Sequence, residues 1–340
     1  MNQLVLFGAY GFGNLGDRLL ADYYRSLLHA AFPDRPHRII SADPMESAFP
    51  EETLHHRREM LSLLYGISPG DLWIAGGGSL LQNRTSRRSL LYYISILELA
   101  SLRGAQVVML GQGYGPICGK MWQFFVRHAL SNVQLIECRD FLTYQRVMKM
   151  SLKKTELRRG IDPIWGIEPP RMIHAGNYLL LIVKSADRNR IPRVLEVLSR
   201  TGCGEQLRVV ALAGRDDRVL HEICGKNYAG LIPDLKNFWS LAGGARGLLS
   251  SRLHGIILGA LAGLPAIGLG DDPKISGVCE ELGFVVNPLS RPQDYENLPG
   301  MVDKLHFGKD VEDSVQIFKD LARENKKETE RRLHELGDST

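Results

Sequence analysis

The sequence predicts an α/β protein made of two Rossmann-like domains facing a cleft. Three observations lead there. Short apolar runs alternate with amphipathic segments from end to end, the rhythm of repeated strand, loop and helix units around parallel sheets buried on both faces. The rhythm breaks once, at Ile161–Asn177 (IDPIWGIEPPRMIHAGN), where three prolines and two glycines suit an inter-domain linker. The chain of 340 residues has the length of two ordinary domains.

In the first half the apolar runs place strands at Leu4–Phe7, Arg38–Ser41, Leu72–Ala75, Gln106–Leu110 and Gln134–Glu137. Amphipathic periodicity places helices near Asp17–Ala30, Leu54–Leu64, Ser86–Arg103, Lys120–Leu130 and Phe141–Met150. The second series has strands at Tyr178–Val183, Leu207–Ala211, Gly230–Ile232, Gly247–Ser250 and Ala266–Leu269. Its helices fall near Ile191–Arg200, Arg218–Cys224, Leu235–Leu241, Leu253–Leu261 and Ile275–Leu282. Val311–Leu336 reads as one long, charge-rich amphipathic helix, solvated over most of its surface. The expected domains are therefore residues 1–165, a linker at 166–177, residues 178–310, and a C-terminal helix at 311–340. No residue-level repeat relates the halves, so their likeness rests on rhythm alone.

Composition excludes some function classes. With 44% hydrophobic and 24% charged residues, the chain is neither disordered nor fibrous. A net charge of +4, from 42 basic and 38 acidic residues, gives no case for nucleic acid but allows an anionic substrate. Cys118, Cys138, Cys203, Cys224 and Cys279 form no CxxC pair, which argues against a disulfide framework or zinc knuckle and for a reduced, cytoplasmic setting. The N-terminus runs directly into Leu4–Phe7 without the features of a signal peptide. The longest uncharged stretch, Gly255–Gly270, is too short and too interrupted for a membrane span.

Glycine is in excess: 35 residues, about 10% against about 7% on average. The first cluster lies between the first strand and the first helix, where Gly11, Gly13 and Gly16 satisfy GxGxxG. A dinucleotide site is one reading, although the motif starts late and lacks an acidic residue about 20 positions on. A tight turn with Asp17 as helix N-cap is the other. The second cluster, Gly76-Gly77-Gly78-Ser79, ends a strand and leads through Arg84, Arg87 and Arg88 into a helix. It is either a cradle for phosphate or carboxylate, or a solvated basic edge on a glycine turn. The third, Gly111-Gln112-Gly113-Tyr114-Gly115, falls at another strand's carboxyl end, where open α/β sheets bind ligands. Arg139-Asp140 reaches the same rim, Arg139 as a partner for an anion and Asp140 as a helix cap. In the second half, Arg252, His254 and Lys274 all lie just past strand ends and would converge on one site. A single histidine is often structural, but this one follows an arginine and opens a glycine-bearing helix, which favours a proton-transfer role.

These residues together resemble the polysaccharide pyruvyl transferase family, and within it the CsaB-type cell-wall enzymes. The resemblance rests on GNLGD (Gly13–Asp17), GGGSLLQ (Gly76–Gln82) with TSRRSLLYY (Thr85–Tyr93), GQGYGP (Gly111–Pro116) and Arg139-Asp140. It continues through Ile161-Asp162-Pro163, SRLHG (Ser251–Gly255) and DPK (Asp272–Lys274), all in family order over roughly residues 5–285. It implies a fold similar to two-domain GT-B glycosyltransferases. It also implies transfer of the enolpyruvyl carbons of phosphoenolpyruvate to a sugar, closing a pyruvate ketal across two hydroxyls with phosphate release, without cofactor or metal. The first domain would take the acceptor and the second phosphoenolpyruvate. Arg139, Arg252 and Lys274 would supply the cations, His254 the general acid, and Asp17 the base. Asn14, Gly77, Gly78, Ser79, Arg88, Gln112 and Leu253 would complete the substrate contacts. The CsaB-type likeness suggests N-acetylmannosamine as acceptor, though no motif selects among sugars. A lipid-linked acceptor would put the enzyme at the inner membrane face, with no span of its own.

The chain departs from the family pattern at Arg18, where an acidic residue commonly follows GN-x-GD. Two other functions stand beside pyruvyl transfer. One is a GT-B glycosyltransferase using a nucleotide sugar, with Glu280 or Glu281 on the ribose; the other is a non-catalytic carbohydrate-binding relative. The irregular glycine fingerprint adds a dehydrogenase as a third.

Overall fold

The structure is a computed structural model that describes residues 3–43, 48–84, 86–172, 176–200 and 206–338. Thr85 of the TSRRSLLYY match, Cys203 and linker residues 173–175 lie outside the described residues. The chain divides into two compact units, one of Met1–Phe12, Asp17–Pro163 and Leu321–Thr340, the other of Gly13–Gly16 and Ile164–Asp320.

The first unit holds a seven-stranded parallel sheet, ordered β3-β2-β1-β4-β5-β6-β7. Its strands are β1 (Leu4–Phe7), β2 (His37–Ser41), β3 (Glu52–His56), β4 (Leu72–Leu81), β5 (Gln106–Tyr114), β6 (Leu135–Cys138) and β7 (Glu156–Arg159). The helices are α1 (Leu15–Ala31), α2 (Met60–Tyr65), α3 (Arg87–Leu102), α4 (Lys120–Leu130) and α5 (Phe141–Met148). LVLF of β1 is buried along its whole length, as a central strand covered on both faces must be. One face of the core gathers Val5, Phe7, Trp73, Val107 and Met109 from the sheet with Leu90, Leu97, Val126, Leu130 and Val147 from the helices.

Two segments depart from their local sequence pattern. The helix expected over Leu54–Leu64 starts only at Met60, and Glu52–His56 pairs with β2 instead, His37 opposite Glu52. Its buried Glu52 is held by Arg25 of α1, Nε to Oε1 at 2.8 Å, a long-range pairing that overrides local helix propensity. The polar edge strand β7 has no strand signal of its own, because ELRR has no apolar alternation and is strand only by pairing with β6.

The second unit has a six-stranded parallel sheet, ordered β10-β9-β8-β11-β12-β13. The strands are β8 (Tyr178–Ile182), β9 (Leu207–Ala211), β10 (Tyr228–Leu231), β11 (Ala245–Ser250), β12 (Ala266–Leu269) and β13 (Val285–Asn287). Its helices are α6 (Ile191–Ser199), α7 (Gly214–Cys224), α8 (Leu235–Gly243), α9 (Leu253–Leu261), α10 (Pro273–Leu282) and α11 (Pro292–Asp303). α9 is buried from Gly255 to Leu261, so it reads apolar all round. The edge strand β13 and α11, which carries Pro299 inside it, lay outside the predicted elements.

The last helix, α12 (Lys309–Asp338), passes from the second unit into the first at residue 321. It is less solvated than its composition suggests: Val311 and Val315 are buried in its first turns, and Ala322, Thr329 and Leu333 further on. No described helix is long and apolar enough to cross a membrane.

Candidate active site

In the second unit the sequence-predicted residues collect where β11 ends and α9 begins. Ser250 shapes the turn: its Oγ accepts from Arg252 N at 3.0 Å and donates to Arg252 O at 2.8 Å. A Cβ on Gly255 would fall 2.4 Å from that Oγ, so glycine is required there. Ser251 N donates back to Ile182 O of β8 at 2.9 Å, and its Oγ donates to Asp187 at 2.6 Å.

Arg252 is the N-cap residue of α9, and its Nη2 donates to Asp216 of α7. Asp216 is fully buried, and its other oxygen accepts from Ser185 N at 2.9 Å and Ser185 Oγ at 2.8 Å. Arg252 Nε is buried and makes no hydrogen bond within the described residues. Leu253 and His254 follow as the first two residues of α9, both half-buried. Lys274, in the first turn of α10, is half-buried behind its N-cap Asp272.

Gly13–Gly16 of the first glycine loop belong to the second unit. Gly214 N donates to Gly13 O at 2.9 Å, Leu15 N donates to Leu212 O at 2.8 Å, and Asn14 forms an antiparallel bridge with Ala213. A Cβ on Gly16 would come 1.7 Å from His254 Nδ1, so the imidazole packs directly on the Gly16 backbone. Asp17 is the third residue of α1, not its N-cap as the turn reading had it. Arg190, outside every motif of the sequence, stands 3.8 Å from Asp187 Oδ1 and lines a small cavity with Ser251 and Gly270. The run of basic residues after β8, Arg188 and Arg190, was the available signal.

In the first unit the second and third glycine clusters run into strands β4 and β5, where loops beyond the strand ends were expected. β4 and β5 continue pairing through Gly76 with Leu110, Gly78 with Gln112, and Leu81 with Tyr114. Several of these glycines admit side chains of this chain. A Cβ on Gly76 would meet the Tyr10 hydroxyl, one on Gly111 the Tyr24 hydroxyl, and one on Gly113 both Ser79 Oγ (2.6 Å) and Arg139 Nε (2.8 Å). Gln112 is buried in the sheet, its amide nitrogen 3.0 Å from the carbonyls of both Ala75 and Gly77.

Arg139, 6% exposed, follows β6 and is braced on three sides. Nη2 donates to Ser79 Oγ at 3.1 Å, Nη1 is 3.6 Å from Asp162 Oδ2, and Nε is 3.5 Å from Asp140 Oδ2. Asp140 also caps α5 through Thr143 N, as its position predicts. A Cβ on Gly78 would lie 4.0 Å from Asp17 Oδ1, so Asp17 and the β4 end that bears Ser79 are neighbours. Burial, helped by the Asp17 charge, holds the Tyr10 phenol well above its ordinary range. Arg88 is exposed on the first turn of α3 and joins none of these contacts. Among the described residues, no group of three or more His, Cys, Asp or Glu side chains is arranged to hold a metal ion.

Two α/β units, each built on a parallel sheet with helices, give the chain the GT-B class of fold. Within it, residues 14–273 match the model of the polysaccharide pyruvyl transferase family, and the chain belongs to that family. The match takes in Asp17, Arg139, Arg252 and His254 and stops one residue short of Lys274. No curated protein matches the chain in sequence. Among solved structures the chain is similar to HepE of Anabaena in complex with UDP, with TM-score 0.56 and 12% identity over the whole of both chains. It is also similar to the wall teichoic acid polymerase TagF, with TM-score 0.57 and 9% identity over 99% of this chain and 89% of that one. The calicheamicin glycosyltransferase CalG4 gives TM-score 0.54 and 16% identity, covering 99% and 98% of the two chains. At such identities the likeness is one of fold.

Proposed function

We propose that this family member transfers the enolpyruvyl carbons of phosphoenolpyruvate to a sugar of a cell-wall or exopolysaccharide precursor, in the manner of the CsaB-type enzymes. The observation that carries the reading is the family match together with an arginine and a histidine at the start of α9, the arginine held by a buried carboxylate. Phosphoenolpyruvate bears a phosphate and a carboxylate on a small frame, so its site needs several fixed cations. Arg252, Lys274 and Arg139 are the residues we assign to it. Protonation of the methylene carbon by His254 makes C2 electrophilic, and a sugar hydroxyl adds there as Asp17 takes its proton. The C2–O bond to the phosphate then breaks, phosphate leaving with the electron pair, and a second hydroxyl adds to C2 to close the ketal, its proton restoring His254.

The test is incubation with phosphoenolpyruvate and a panel of lipid- or nitrophenyl-linked sugars, following phosphate release and the mass of the product. A ketal-bearing product is expected. Thermal stabilisation by a nucleotide sugar and none by phosphoenolpyruvate would overturn the reading. In the same assay His254→Ala lowers kcat by about 10²–10⁴-fold, the usual value of a general acid, while calorimetry still records phosphoenolpyruvate binding. Near-normal turnover of that variant would remove His254 from the mechanism.

A further inference from the structure

The modest charge of the whole chain hides a segregation. Between Arg84 and Lys154 there are eleven lysines and arginines against three carboxylates, and the rest of the chain is net acidic. Two of those carboxylates are committed inside the first unit: Glu137 is buried in β6, and Asp140 caps α5. The third, Glu98, accepts from Asn132 Nδ2 at 3.1 Å.

The topology collects the basic residues on one side. Strands β4, β5, β6 and β7 follow one another across the sheet in order, so right-handed crossovers put α3, α4 and α5 side by side on one face. Their inner sides pack on the core through Leu90, Val126 and Val147. Their outer sides are apolar as well. Leu102 is 77% exposed, Phe124 66%, Met121 59%, and Leu91 and Met148 each 53%. Leu91, Leu99 and Leu102 recur along α3 at helical spacing, and Met121, Phe124 and Phe125 form a second stripe on α4. Between and beside them stand exposed Arg103, Lys120, Arg127 and Lys149. α4 has no acidic residue at all, so it is apolar on both sides and basic at both ends.

We propose that the outer face of α3, α4 and α5 docks on an anionic lipid bilayer. Large apolar side chains ringed by lysine and arginine suit a surface with negative headgroups above hydrocarbon, where the rings and thioethers enter and the cations stay at the headgroups. A second copy of the chain suits it poorly, because an isologous contact would set like charges against each other. α3 and α4 both start at the carboxyl edge of the sheet, the edge that carries Ser79 and Arg139. The proposal stands without the pyruvyl-transfer reading, and its test needs no substrate.

The full chain is sedimented with vesicles of phosphatidylcholine alone, or of phosphatidylcholine and phosphatidylglycerol in equal parts, at low and high salt. Binding to the mixed vesicles is expected, weakening as the Debye length falls from about 8 Å at physiological salt to about 3 Å at 1 M. Lys120→Glu with Arg127→Glu weakens binding about fivefold or more per residue. Met121→Ser with Phe124→Ser weakens it about tenfold or more through lost apolar burial. All four positions are exposed, so melting temperatures stay near that of the parent. Failure to bind the mixed vesicles, or equal binding by the variants, would overturn the proposal. So would a dimer in sedimentation velocity that the Met121/Phe124 variant dissociates, since the face would then be a contact between copies.

Discussion

Arg252 enters α9 with its guanidinium already held, because Asp216 accepts from it on one oxygen and takes both Ser185 donors on the other. A buried pair of this kind orients the cation but adds little net stability, since desolvation offsets the attraction. Removing one partner is a different matter. Asp216→Asn keeps an oxygen for Ser185 and loses the charge that aims Arg252, so the protein folds but the guanidinium is released. We expect KM for phosphoenolpyruvate to rise about tenfold, one charge-assisted hydrogen bond's worth, with kcat within a few-fold of the parent. Steady-state kinetics decide it: a loss in kcat with KM unchanged would make Asp216 more than a positioning residue. Arg252 and His254 were legible as a motif after a strand, but Asp216 was not. It lies 36 positions away in sequence, and its local context, Gly214-Arg215-Asp216-Asp217, reads only as a helix start.

The docking of α12 on the first unit covers one buried carboxyl. Glu137 of β6 is buried, and Thr329 Oγ donates to it at 2.5 Å. Burial pushes its pKa up, outweighing the lowering by Thr329, Asn325 and Arg158. The folded state therefore holds the Glu137 proton more tightly than the unfolded chain does. That contribution is fully present below the ordinary value of 4.5 and is lost as pH rises through the raised one. Glu137→Gln mimics the protonated form, so its melting temperature should exceed the parent's at neutral pH and converge with it in acid. A variant less stable at neutral pH would show that the ionised pairing with Arg158 outweighs desolvation. Sequence patterning identified this helix but read its charged surface as solvated, since a 30-residue amphipathic stretch does not name the strand it lies against. The same limit applied at Glu52–His56, where only the ladder to β2 makes a strand.

Across the molecule, α12 ties the last residues of the chain to the unit that contains the first strand. Leu333 and Thr329 are almost fully buried there, and Arg35 Nη2 donates to Gly337 O at 2.9 Å. A chain ending at Asp320 loses that apolar burial and leaves Glu137 without its hydroxyl donor, a cost of about 3–6 kcal/mol to the first unit. At roughly 2–4 °C per kcal/mol for a unit of this size, calorimetry should show the first unit melting earlier, with the second unit's transition in place. A single unshifted transition would refute the docking role. The GT-B likeness at 9–16% identity has a related cause: parallel strand order and crossover handedness are set by patterning that many sequences satisfy.

Alternating apolar runs and amphipathic helices are properties of consecutive residues, and so the α/β class, most strands and the family motifs could be read from the order of amino acids. What the tertiary structure decided is partnership. It set Gly13–Gly16 against the turn after β9, seated His254 on Gly16, and gave Arg252 to Asp216 and Arg139 to Ser79, Asp140 and Asp162. It also showed that Gly76, Gly111 and Gly113 are small because tyrosines, a serine and an arginine of the same chain occupy the space beside them. Hydrogen bonds and close packing between distant segments leave no periodic trace in sequence, because they form only once the sheets have brought those segments together.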